Sequence, residues 1–216
     1  MIRGILFDFD GTLADTLPIC LEAFRQAVEH HGGERLADEE IRSKFGPCET
    51  GVMTVLVPEA PVESLASYHR LYEELHDSLR SPFDGLAELL GELRRHGIKL
   101  GVVTGKGEKS LEISLRLIGL DRAFDALEPG CPYGPCKPEG ILRILADWKM
   151  KPQDCLYVGD SIHDVSSARL VGMPIASVSW ADPSSHETLG AAKPDFLFDS
   201  VEEFRSWILS EVSPDH

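Results

Sequence analysis

Residues 2–16, IRGILFDFDGTLADT, form an apolar run that ends with Asp8 and Asp10 two positions apart, followed at once by Gly11 and Thr12. A carboxylate costs free energy wherever a strand enters a core, unless it is paired or holds a cation. Three further points along the chain carry reactive groups. Thr104, Gly105 and Lys106 end the run that starts at Ile98, and Lys137 stands before Pro138 and Glu139. Asp160 and Ser161 close the run that starts at Gln153, and Asp164 follows a short way on. Clustered carboxylates repel one another unless a hard cation joins them, and Mg²⁺ with oxygen ligands suits such a set. A carboxylate is also a nucleophile toward phosphorus, and a second acid nearby can protonate a leaving alcohol and then activate water. The Thr104 hydroxyl and the Gly105 backbone N–H suit phosphoryl oxygens, while Lys137 and a cation would neutralise transition-state charge.

These groups meet only if the chain places them on one rim. The runs 2–10, 98–106, 153–161 and 173–180, with a shorter one at 193–200, are rich in Val, Ile and Leu and show little alternation. That pattern predicts parallel strands covered on both faces. Amphipathic helical stripes lie between them at 85–97, 110–120, 138–150 and 164–173, the first and last ending at Gly97 and Gly172. Strand–helix alternation predicts an open α/β sheet, in which ligands bind outside the carboxyl ends of the strands. From Ala14 to about Pro82 no strand pattern occurs and helical stripes dominate. This interval predicts a helical insertion directly after the first strand.

DFDGTLADT, VVTGK, CKPEG and VGDSIHDV resemble, in order and spacing, the four motifs of the haloacid-dehalogenase (HAD) superfamily of phosphohydrolases. Within it the chain is similar to the phosphoglycolate-phosphatase-like branch. The resemblance implies a Rossmann-like core at 1–13 and 83–216, with a helical cap at 14–82. It implies Asp8 as nucleophile and Mg²⁺ ligand, and Asp10 as general acid/base with its backbone carbonyl on the metal. Thr104 and Gly105 would bind phosphate, and Lys137 would orient Asp8 and the phosphoryl group. Asp160 would ligate Mg²⁺, with Asp164 supporting it or ligating in its turn. The activity implied is Mg²⁺-dependent hydrolysis of a small phosphate monoester, phosphoglycolate being the default for the branch. Pyrophosphate hydrolysis and a phosphomutase of the β-phosphoglucomutase type are the alternatives. The family's third motif reads K-P-x-P, and here Gly140 replaces the second proline.

Bulk properties narrow the partners. Lys and Arg number 21 against 36 Asp and Glu, a formal charge of −15, which disfavours nucleic acid and anionic membranes. A small phosphorylated metabolite remains compatible, because local cations reverse the field inside a cleft. Five cysteines, irregularly spaced, with no signal-like segment or long apolar span, predict a cytoplasmic protein with free thiols. Oligomeric state is not encoded in any of these features, and monomer and homodimer are both compatible. Cys131 and Cys136 lack the second pair that a structural zinc site requires. The histidines at 30, 31, 69, 76 and 163 show no ligand spacing and read as surface or packing residues. Phe45, Gly46, Pro47, Glu49 and Thr50 are expected in a loop of the insertion that contacts the leaving group, and Lys106 is a candidate substrate contact. A regulatory phosphoacceptor or a silent binding protein is the rival of another class, but neither calls for D-x-D-G-T on the first strand.

Overall fold

A computed structural model describes residues 1–212; the expectation that the terminal 213–216 segment frays lies outside them. Six strands form one parallel sheet: β1 (Gly4–Phe7), β2 (Lys99–Val103), β3 (Ala126–Glu128), β4 (Cys155–Gly159), β5 (Ile175–Val178) and β6 (Phe196–Phe198). Their order is β3-β2-β1-β4-β5-β6. The chain moves outward from β1 to β3, returns to β4 on the other side of β1, and moves outward again. The sheet therefore reverses direction around β1, where a crevice opens at the strand ends.

Helices α1 (Leu17–His30), α2 (Asp38–Arg42), α3 (Glu49–Leu56) and α4 (Pro61–Leu75) follow β1 before the sheet resumes. The others are α5 (Leu86–Arg95), α6 (Glu108–Leu117), α7 (Lys137–Trp148), α8 (Ile162–Val171), α9 (His186–Ala191) and α10 (Val201–Val212). Both faces of β1 are covered. Ile5 and Phe7 pack with Leu86, Leu89, Leu93 and Phe204 of α5 and α10. Leu6 packs on the opposite face with Ile141, Ile144 and Val165 of α7 and α8. The continuous apolar run is what two covered faces require.

The four helices after β1 build a third apolar cluster from Phe24, Ile41, Val52, Met53, Tyr68 and Tyr72, into which Ile113 of α6 also inserts. Phe24 and Tyr68 lie with ring centroids 4.4 Å apart, and Tyr68 stacks on Tyr72 at 5.7 Å. These helices carry their own core and rest on the rim of the sheet through α6.

Two elements differ from the sequence reading. Strand β3 escapes it because it is three residues long, half-exposed and paired only to β2. Glu49 and Thr50, expected in a loop, instead open α3, and Glu49 is buried. Phe45, Gly46 and Pro47 do precede that helix as loop.

Candidate active site

Strand ends deliver the reactive groups to the crevice. Asp8 follows β1, Thr104 follows β2 and Asp160 follows β4, while Lys137 is the first residue of α7 and Asp164 lies in the first turn of α8. All of them except Asp164 line one cavity of about 500 Å³, together with Asp10, Gly105 and Lys106. The structure thus brings the sequence-selected residues to one place.

Asp8 is buried. Its Oδ2 pairs with Lys137 Nζ at 2.9 Å, whereas its Oδ1 has no hydrogen-bond partner among the described residues. Burial pushes the Asp8 carboxyl up to about 6, against the pull of Lys137. Burial, and then the charges of Asp8 and Asp164, raise Asp160 well above the usual carboxylate range. One carboxylate oxygen each from Asp8, Asp160 and Asp164 lies within 4.8 Å of the other two. Three hard oxygen donors fit a hard divalent cation, and one of the three carboxylates carries an orphaned buried oxygen.

Asp164 already has its hydrogen bonds. Its Oδ1 receives Lys137 Nζ at 2.6 Å, and its Oδ2 receives the backbone N–H of Ser161 at 3.1 Å and the Ser161 hydroxyl. Asp164 N–H returns a bond to Ser161 Oγ at 3.2 Å, a reciprocal cap on the start of α8. Asp164 is therefore a carboxylate that fixes Lys137 and the Ser161 turn, whereas Asp8 Oδ1 receives no hydrogen bond from the described residues and Asp160 Oδ1 receives the Thr12 hydroxyl at 3.3 Å. Burial works against the charge on Lys137, but Asp164 and Asp8 outweigh it and hold the ammonium protonated.

Two glycines permit this geometry. Gly11 has φ +77, and a Cβ there would sit 2.1 Å from Asp160 Oδ2. A Cβ on Gly159 would sit 2.4 Å from the Asp164 carboxyl carbon. Gly140, in place of the second proline of the third motif, stands on the buried side of α7, where a Cβ would be 3.1 Å from Val103 and Glu128. The small residue lets α7 seat closely on β2 and β3, and Lys137 still reaches Asp8.

Asp10 faces differently from Asp8. Its Oδ1 accepts both the Thr16 hydroxyl at 2.5 Å and Lys106 Nζ at 2.9 Å, which leaves Oδ2 for another partner. Lys106, a candidate substrate contact, lines the cavity while being largely buried and paired with Asp10. Its ammonium also donates to Tyr72 Oη of α4 at 3.0 Å and lies over the Tyr72 ring, 4.7 Å from the centroid. Tyr72 in turn meets Ser114 at 2.7 Å, and Ser114 meets His76 at 3.1 Å. Burial opposes the Lys106 charge, but Asp10 above all outweighs it and raises the group well above the ordinary lysine range. Sequence reasoning missed this buried chain of contacts. The only local signal was a lysine placed directly after Thr104-Gly105. His76 is buried and pulled down by that burial, a packing histidine, while His163 lies on the cavity rim.

The cavity closes against the helical layer at two fixed contacts. Gly107 N–H donates to the buried Glu49 carboxylate at 2.5 Å, and Cys48 N–H donates to Cys131 C=O at 2.8 Å. Burial raises the Glu49 carboxyl, opposed by Lys106.

The sequence profile of the haloacid dehalogenase-like hydrolases matches residues 5–178. The chain belongs to that family. Its relatives include proteins named Pyrophosphatase PpaX. That of Bacillus mycoides is 28% identical over 98% of this chain and 99% of its own length. That of Anoxybacillus flavithermus is 29% identical over 95% and 96%. Among solved structures, a β-phosphoglucomutase from Clostridium difficile superposes with a TM-score of 0.80 at 20% identity, covering 98% of this chain and 97% of its own. A predicted phosphoglycolate phosphatase from Haemophilus somnus gives 0.74 at 20% identity, covering 98% of each chain. Identities at that level establish the shared fold. Among the described residues no helix is long and apolar enough to cross a membrane.

Proposed function

We propose that this HAD-family enzyme hydrolyses a small phosphate monoester, in the manner of a phosphoglycolate-type phosphatase, through an aspartyl-phosphate on Asp8 and with Mg²⁺ in the carboxylate cluster. The observation that carries the reading is the buried Oδ1 of Asp8, unpartnered among the described residues, in a cluster with Asp160, with Lys137 fixed on Asp8 Oδ2. Asp8 and Asp160 would hold Mg²⁺, with the Asp10 backbone carbonyl, and Asp164 would brace them. When bound, the cation offsets the negative charge of the phosphoryl group and of the carboxylates around it.

The residues divide the work. A carboxylate oxygen of Asp8 attacks phosphorus and the ester P–O bond breaks. Thr104 and the Gly105 backbone receive the phosphoryl oxygens, and Lys137 offsets their charge. Asp10, steadied through Oδ1 by Thr16 and Lys106, gives the proton from Oδ2 to the leaving alkoxide. It then takes a proton from the water that attacks the aspartyl-phosphate, releasing inorganic phosphate and restoring Asp8. The four helices act as a cap that limits substrate size and excludes bulk water during the first step. In this reading the cap is residues 14–82 and the core residues 1–13 and 83–216.

A second reading, hydrolysis of pyrophosphate, is favoured by the near full-length likeness to proteins named pyrophosphatase. Phosphate release from a panel of phosphate esters and pyrophosphate, with Mg²⁺ and then with EDTA, separates the two. Metal-dependent release from an ester supports the proposal. Release from pyrophosphate alone selects the second reading, and no release from any compound rejects both.

A further inference from the structure

Resting on the hydrolase reading above, residues 104–107 form the loop that meets the phosphoryl group, and its backbone is tied at several points. Lys106 N–H donates to Thr104 Oγ1 at 3.2 Å, and Lys106 C=O accepts Gly130 N–H at 2.8 Å. Gly107 C=O accepts Leu111 N–H at 2.9 Å as α6 begins. The remaining tie comes from a helix of the insertion after β1. Gly107 N–H donates at 2.5 Å to Oε2 of Glu49, in the first turn of α3. Glu49 lines the cavity with Gly105 and Lys106, yet only 5% of it is exposed. A buried carboxylate persists only where donors and cations meet it. Here burial raises the carboxyl, and the charge of Lys106 and the Gly107 N–H work in the opposite direction. An anion near the start of α6 is also favoured by the partial positive charge there.

Gly107 has φ −66 and ψ 157, a conformation open to any residue, so the backbone does not call for glycine. The carboxylate does, because a Cβ there would sit 2.3 Å from Glu49 Oε2. Gly130 presses on the same loop, where a Cβ would sit 2.1 Å from the Gly105 carbonyl oxygen. The loop is thus clamped between the turn at Gly130 and the Glu49 carboxylate.

We infer that Glu49 is a positioning residue: from α3 it holds residues 104–107 in the shape that offers Thr104 and the Gly105 N–H to the phosphoryl oxygens. Its part is exercised through the loop, on phosphoryl binding, and not on the leaving group. Lys106 holds Asp10 through its side chain, so phosphoryl binding and proton delivery have separate supports. A donor aimed at developing negative charge is effective only in place, and a misplacement of about 1 Å costs on the order of a hundredfold in rate.

The test compares Glu49→Ala, Glu49→Gln and Gly107→Ala with the parent, with Mg²⁺ in excess. It reads calorimetric binding of inorganic phosphate, and kcat/KM for phosphoglycolate, whose leaving alkoxide needs a proton, and for p-nitrophenyl phosphate, whose leaving group does not. Glu49→Ala should weaken phosphate binding by roughly tenfold or more, the scale of one charge-assisted hydrogen bond. It should lower kcat/KM for both esters by similar factors, so that their ratio, which reads proton delivery by Asp10, stays within about twofold of the parent's. Glu49→Gln keeps an oxygen acceptor for the Gly107 N–H and should recover most of the loss. Gly107→Ala should act in the same direction, because its Cβ displaces the carboxylate, and combining it with Glu49→Ala should add little. Three results overturn the inference while the parent's activity leaves the hydrolase reading intact: unchanged phosphate binding in Glu49→Ala, a shift in the ester ratio as large as the loss in binding, or no recovery in Glu49→Gln. A parent that releases phosphate from neither ester overturns the phosphoglycolate-type reading, and the inference falls with it.

Discussion

Replacing Lys106 with methionine would test whether the buried ammonium is what holds Asp10. Methionine keeps most of the volume and loses the charge. In the parent, Lys106 Nζ is 2.9 Å from Asp10 Oδ1, with side-chain exposures of 1% and 24%. Removing one member of a buried ion pair costs roughly 3–5 kcal/mol, chiefly because the other charge is stranded. Asp10 keeps the Thr16 hydroxyl and some solvent, so the Lys106→Met loss should be about 2–3 kcal/mol. Asp10→Asn strands the ammonium instead, but Tyr72 still offers its hydroxyl and ring face, so a similar or smaller loss is expected. Because each single change leaves an uncompensated charge and the double change leaves none, the double variant should be milder than the sum by about 1.5–3 kcal/mol. Urea unfolding in EDTA reads these values without metal linkage. Lys106→Met should also slow turnover of poor leaving groups more than that of activated aryl esters, because a mobile Asp10 delivers its proton badly. Losses that simply add, or a Lys106→Met variant within about 0.5 kcal/mol of the parent, would refute the argument.

Two further outcomes follow from the carboxylate cluster. Asp8→Asn should cut phosphate release by roughly 10⁴-fold or more, since the nucleophile is gone, and retained turnover would sink the mechanism. In EDTA the same variant should be at least as stable as the parent at pH 7.5. Its carboxyl is raised from 3.8 to about 6 in the folded state, so its ionisation penalty is complete above that range and disappears as pH falls toward 3.8. The stability advantage should therefore shrink between pH 7 and pH 4 (as an order-of-magnitude window), and one that grew would reverse the sign of the reasoning. Saturating Mg²⁺ should raise the thermal midpoint of the parent by roughly 5–10 °C, the effect of a ligand at about a hundred times its dissociation constant on a chain of this size. Asp160→Asn should abolish most of that response; a full response in the variant would place the cation elsewhere.

What the sequence made legible was local. Asp8, Thr104 and Asp160 could be placed because each closes an apolar run, and the end of a parallel strand is where an open α/β sheet binds its ligands. Helical periodicity likewise marked α1, α4 and α5. Strand β3 has three residues and no period to detect, and it exists because β2 offers it an edge. Glu49 looked like a loop residue because Gly46 and Pro47 precede it, yet its carboxylate accepts from Gly107, 58 residues away. Lys106 finds Tyr72 across 34 residues. Such contacts are set by how α3 and α4 seat against α6, a tertiary fact that no window of residues contains.

The two acids at the end of β1 are distinguished less by their own chemistry than by the lysine each one meets. Asp8 shares Lys137 with Asp164, and its second oxygen stays without a hydrogen bond in the cluster that fits a cation. Asp10 is met by Lys106 and Thr16 on one oxygen, with Tyr72 of the cap supporting the ammonium from behind. Lys137 pairs with Asp8 and Asp164, both beside the sheet, so these contacts of the Asp8 half do not involve α4. Lys106 also donates to Tyr72 of α4, so the Asp10 half includes a helix of the insertion after β1. In the proposed mechanism the proton-transferring acid is thereby tied to α4, while the attacking carboxylate is not. Tyr72→Phe should therefore disturb turnover of poor leaving groups while leaving Mg²⁺ affinity at the Asp8 cluster unchanged, as measured by calorimetry. Equal damage to both would show that the two halves are not separable.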